Sequence, residues 1–129
     1  MYATACENLK NSRCKILKNY NEKIIDEFKD GSFDFVLVHD LFEHLSPDAL
    51  NAALAEVMRL TRSQAWLYFF NVKRCKNHIV RPVERYHWNT LSLDRLLHCL
   101  TELGENIETL SIPSFLRDKF GCCTYHNPH

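Results

Sequence analysis

Glycine is scarce in this chain: Gly31, Gly104 and Gly121 are the only three among 129 residues, against a usual share of about 7%. They are widely separated, which excludes a G-x-G-x-x-G dinucleotide loop and a Walker A phosphate loop, because both need closely spaced glycines to bring backbone amides to a phosphate. Long apolar runs are also missing. The longest, Ala65-Trp66-Leu67-Tyr68-Phe69-Phe70, falls far short of the ~20 residues that cross a bilayer, so no membrane partner is expected. An excess of one charge is missing too: 16 Lys and Arg stand against 16 Asp and Glu. With no basic block, nucleic acid is not an expected partner, since phosphate neutralisation needs clustered positive charge. The start, Met1-Tyr2-Ala3-Thr4-Ala5-Cys6, lacks a charged segment followed by an apolar stretch. A cytoplasmic location is the resulting expectation.

What is present fits one globular domain, with 46% hydrophobic and 25% charged residues. Cysteines stand at 6, 14, 75, 99, 122 and 123. Two are adjacent and no secretory signal precedes them, so free thiols in a reducing compartment are expected. The pairs Cys75-x-x-His78 and Cys123-x-x-His126 hold ligand types that suit zinc. A full helix pattern separates them, and such pairs arise by chance among six Cys and seven His; no metal is expected.

Residues 1–11 have a short helical pattern, 14–19 read as a strand, and Asn21 caps a helix that buries Ile24, Ile25 and Phe28. After a turn at Lys29-Asp30-Gly31-Ser32, the run Phe33 to Asp40 is almost continuously apolar, as in a strand covered on both faces. Ser46-Pro47-Asp48 starts a helix with a capping hydroxyl, a first-turn proline and an acid at the positive end of the dipole. Leu50, Ala53, Leu54, Val57 and Met58 form its apolar stripe. A second buried strand is predicted over Gln64 to Asn71, then a polar connection over 72–89, a helix capped by Ser92 and stopped by Gly104, and a strand over Ile107 to Ile112. Residues 113–129 have no assignable pattern. The alternation of helices and strands predicts an α/β fold with a mostly parallel sheet. Ligands in such sheets sit beyond the carboxyl ends of strands, here Asn19-Tyr20, His39-Asp40 and Asn71-Val72.

The stretch Ser32-Phe33-Asp34-Phe35-Val36-Leu37-Val38-His39-Asp40-Leu41-Phe42-Glu43-His44-Leu45 resembles the S-adenosylmethionine-dependent methyltransferases with a Rossmann-like fold, the class I enzymes of the type 11-like group. In that family a G-S-F-D-hydrophobic-V strand leads to a segment ending E-H-L, and a helix follows. With the later aromatic strand and the Leu91-Ser92-Leu93 helix in the same order, the resemblance extends over most of residues 1–115. Its Gly-rich turn and the acid that holds the cofactor's ribose have no counterpart here. The resemblance therefore implies a single partial domain whose sheet lacks the family's first two strands and its last, and which binds S-adenosylmethionine weakly unless a partner or further segment completes the sheet.

By the same resemblance Asn19 and Tyr20 flank the adenine, while His39, Asp40, Leu41, Phe42 and His44 lie against the cofactor. The basic connection supplies Arg81, Arg85, Tyr86 and His87 toward an anionic or polar methyl acceptor, which stays unidentified. His39, Asp40, Glu43 and His44 are the densest titratable cluster, and one reading takes a general base from it; the plainer reading has His44 in a local hydrogen bond and Glu43 facing water. Asp34, inside a strand, is expected to make a structural hydrogen bond. The alternative function is a non-catalytic α/β interaction module that completes its sheet with a partner.

Overall fold

The computed structural model describes residues 27–104 and 106–121. The strand at 14–19, the helices at 1–11 and from Asn21, Asn19 and Tyr20, and the pair Cys123 and His126 lie outside them. The chain divides into two compact units, Met1–Phe42 with Pro47–Phe70, and Glu43–Ser46 with Asn71–His129.

In the first unit, β1 (Phe33–Val38) pairs in parallel with β2 (Thr61–Leu67), and α1 (Pro47–Leu60) connects them. Parallel pairing requires such a crossover, because a tight hairpin can join only antiparallel strands. Gly31 turns the chain into β1 with φ 62°, and its N–H donates to the Arg59 carbonyl at 2.8 Å. α1 begins at Pro47 as its starting signal predicts. It buries Leu50 and Leu54, while Thr61 Oγ1 donates to the Val57 carbonyl at 2.6 Å where the helix passes into β2. Arg59 is tied to Glu56, Asp30 and the Phe28 carbonyl. Asp34 holds the structural role expected of it, accepting from Arg62 Nε at 2.7 Å.

Two sequence expectations change here. β2 starts at Thr61 and ends at Leu67, rather than running from Gln64 to Asn71, because the aromatics after Leu67 pack as rings. Phe69 stacks on buried Phe42 with centroids 5.1 Å apart, and Tyr68 and Phe70 flank His39. Nor, among the described residues, is β1 covered on both faces. Val36 and Val38 are half-buried beside Ala65 and Leu67, but Phe35, Leu37 and Trp66 on the other face are 50%, 57% and 50% exposed. α1 is the element packed with this pair among the described residues, and one helix shields one face.

In the second unit, the polar connection over 72–89, for which no strand was expected, contains three short strands. β3 (Val72–Lys73) runs parallel to β6 (Leu91–Ser92), and β4 (Pro82–Val83) forms a hairpin with β5 (Tyr86–His87). α2 (Leu93–Leu103) follows β6 and buries Leu96 and Leu100. Its predicted cap is present, with Ser92 Oγ accepting from Arg95 N at 3.2 Å, and Gly104 N–H closes it on the Leu100 carbonyl. The predicted strand from Ile107 to Ile112 is absent: 106–111 is irregular, and Ile112 opens α3 (Ile112–Phe120). A proline in the first helical turn loses no hydrogen bond, so Pro113 favours starting a helix here over extending a strand. No helix among the described residues is long and apolar enough to cross a membrane.

Candidate functional site

Each unit carries part of the predicted set. In the first, His39 and Asp40 follow directly on β1, at the carboxyl end of a parallel strand. His39 is exposed, with its ring 5.4 Å from that of Tyr68 and 5.1 Å from that of Phe70. Asp40 is exposed and adopts φ 54°. Asp and Asn enter this left-handed region more readily than other side chains with a Cβ, so the chain leaves the strand sharply there. Leu41 is exposed and Phe42 is fully buried. An acid and two aromatic rings thus collect where β1 ends.

The second unit receives the chain at Glu43. That residue is 3% exposed and does not face water as expected: its Oε1 accepts from Asn71 N at 3.4 Å, and its carbonyl accepts from Asn89 N at 2.9 Å. His44 also departs from a local bond. Its Nδ1 lies 3.2 Å from the carbonyl of His87, 43 residues along the chain. A carbonyl only accepts, so Nδ1 carries the proton and a neutral ring has its acceptor at Nε2. The His44 ring packs 5.8 Å from Tyr86 and 5.0 Å from Trp88. Sequence reasoning placed His44 against the cofactor and Tyr86 and His87 toward the acceptor; the fold brings these three together. Arg81 and Arg85 are exposed, one before β4 and one in the hairpin turn.

Asn89, which sequence reasoning missed, organises this region. It is 2% exposed; its Nδ2 donates to the Leu45 carbonyl at 2.7 Å, and its Oδ1 accepts from Arg81 N at 3.0 Å. Asn71 Nδ2 donates to the Asn89 carbonyl at 3.0 Å. One side chain therefore ties the E-H-L segment to the hairpin. An asparagine in a polar stretch signals a turn, and nothing local distinguishes it from one.

Of the cysteine and histidine candidates, the described pair Cys75 and His78 makes structural bonds. Cys75 Sγ reaches the Asn77 carbonyl at 3.2 Å, and His78 Nδ1 accepts from Ser92 N at 3.0 Å. Burial pushes the His78 imidazole below its ordinary value, and the charge of Arg95 adds to the shift. Burial likewise pushes the Cys99 thiol up, with Glu102 adding to it, which disfavours a thiolate nucleophile. No group of three or more metal-ligating side chains occurs among the described residues.

Comparison with curated proteins and with solved structures gives no match. The family described as a methyltransferase domain matches residues 1–69, just over half of the 129. That span contains β1, its acidic end, the E-H-L segment, α1 and β2. On that match the chain belongs to the class I S-adenosylmethionine-dependent methyltransferases.

Proposed function

We propose that this chain transfers a methyl group from S-adenosylmethionine, with His39, Asp40, Leu41 and Phe42 serving the donor and His44, Arg81, Arg85, Tyr86 and His87 serving the acceptor. The observation that carries the reading is the acidic end of β1. A parallel strand delivers Asp40 at its carboxyl terminus, where ligands of such sheets bind, and the residue's left-handed backbone fixes where the next three residues begin. The chemistry of these residues suits the cofactor. A carboxylate is a partner for its sulfonium and ammonium groups, and the His39, Tyr68 and Phe70 rings offer faces to a cation or a flat base.

When bound, the cofactor supplies an electrophilic methyl group. The work left to the protein is to orient the acceptor, exclude water and take up any proton the acceptor releases. His44 suits the last task, because the bond from Nδ1 to the His87 carbonyl fixes the tautomer and leaves Nε2 as the basic atom. Asn89 holds the backbone on both sides of that imidazole.

Calorimetric titration with S-adenosylmethionine, taken to high donor concentration because weak binding is predicted, tests the reading. Asp40→Asn is the informative variant, since asparagine tolerates the same backbone and removes only the charge. It should weaken binding by about 1–3 kcal/mol, the scale for a hydrogen bond to a charged partner. Equal affinity of wild type and variant would remove Asp40 from the donor site. No saturable heat at any concentration would remove the donor site from this chain.

A further inference from the structure

The chemical class of the acceptor follows from the charge and pleat of the hairpin. Residues 71–95 contain six Lys and Arg against Glu84 and Asp94, a surplus of four in a chain whose formal net charge is zero. Outside this stretch the described arginines are occupied: Arg59, Arg62 and Arg117 each hold a carboxylate. Arg95 is bound to Asn77 Oδ1 and the Lys76 carbonyl. Among the described residues no carboxylate lies within ion-pair range of Arg81 or Arg85, and both are exposed.

The register of the hairpin separates these two. Pro82 pairs with His87 and Val83 with Tyr86, and Trp88 N–H donates to the Arg81 carbonyl at 2.8 Å, which extends the pairing by one step. Opposed residues share a face and successive residues alternate. Arg81, Tyr86 and Trp88 therefore share one face, and Pro82 and His87 take the other. Because the His44 ring packs on both Tyr86 and Trp88, that face combines a guanidinium, a phenol ring that is 49% exposed, and an imidazole with a fixed tautomer.

We propose that this face is the acceptor subsite and that its ligand is a small planar carboxylic acid, bound as the carboxylate; the word acceptor rests on the methyl-transfer reading above. Arg81 presents the planar fork that matches two carboxylate oxygens, and the Tyr86 ring supports a flat apolar body beside it. Arg85, in the turn, adds long-range attraction without belonging to the face.

Benzoate is the probe, and benzamide, with the same shape and no charge, is its comparison. In Trp66→Phe, Trp88 is the only tryptophan left of two, so its fluorescence reports binding at this face. Saturable quenching by benzoate is expected, at least tenfold weaker with benzamide and in Arg81→Gln, and unchanged in Arg62→Gln, whose partner is Asp34. Calorimetry on the unaltered chain repeats the benzoate and benzamide comparison without any variant. Equal binding of the two probes, or full benzoate binding by Arg81→Gln, overturns the proposal. Tighter binding of phenyl phosphate than of benzoate overturns the carboxylate assignment. A chain that binds benzoate as described but never S-adenosylmethionine counts against the methyl-transfer reading alone, so the two failures are distinguishable.

Discussion

At the scale of single residues, a half-buried histidine and a buried asparagine explain how a short polar connection becomes a defined structure. His78 accepts the backbone N–H of Ser92 through Nδ1, which requires the neutral ring, and its folded-state value is lowered by burial and then by Arg95. The unfolded chain therefore binds the proton more readily. This contribution to stability is complete above the ordinary histidine value of about 6.5 and is lost as pH falls through the folded value. Urea midpoints should drop on acidification below that value, and the drop should shrink in His78→Asn, where an amide oxygen can replace the Nδ1 acceptor. An equal acid-induced drop in wild type and variant would assign the loss to other groups. Asn89 makes a different contribution, because Asn89→Ala would leave both the Leu45 carbonyl and the Arg81 N–H without their partner. The expected cost is about 1–3 kcal/mol in chemical denaturation. The same variant should release the His44 tautomer, visible as altered imidazole nitrogen shifts in a spectrum of the folded chain.

At the scale of elements, what could be read from the sequence depended on whether the signal was local. α1 starts, and α2 both starts and stops, where their terminal residues predict, since a serine hydroxyl, a first-turn proline or a terminal glycine acts within one helical turn. The apolar run at Phe33 marked β1 correctly, yet it could not reveal that Phe35 and Leu37 stay exposed, because coverage depends on distant segments. The aromatics after Leu67 looked like more strand for the same reason. Period alone does not separate a ladder residue from a ring packed on Phe42 or His39. The candidate site follows this pattern: His39 and Asp40 were legible as the end of a strand, whereas the meeting of His44 with Tyr86 and Trp88 spans more than forty residues and had no local trace. The energetics of α1 lie in its stripe. Leu54 is 1% exposed, so Leu54→Ala should cost about 2–5 kcal/mol, as for truncation of a well-packed core leucine. Leu103, 39% exposed at the end of α2, should cost well under half as much in the same denaturation series. Similar losses at the two positions would mean that α1 is not the organising helix of its unit.

At the scale of the whole chain, two features act on solution behaviour together. Positive and negative residues balance, and the sequence pI is about 7.0, so near neutral pH little net repulsion keeps copies apart. One face of the β1–β2 pair also exposes Phe35, Leu37 and Trp66 in adjoining positions. Exposed apolar patches of this kind promote association when charge does not oppose it. Solubility should therefore pass through a minimum near pH 7 and rise on either side, as histidines gain protons below it and net negative charge grows above it. Precipitation with ammonium sulfate across a pH series measures this. Leu37→Lys separates the two causes, because Leu37 is already 57% exposed and its replacement removes apolar surface while adding charge. The variant should be more soluble at pH 7 and lose less than about 1 kcal/mol of stability, since little buried area is given up. If the variant precipitates like the wild type at equal distance from its own pI, net charge alone governs solubility and the exposed sheet face has no part in it.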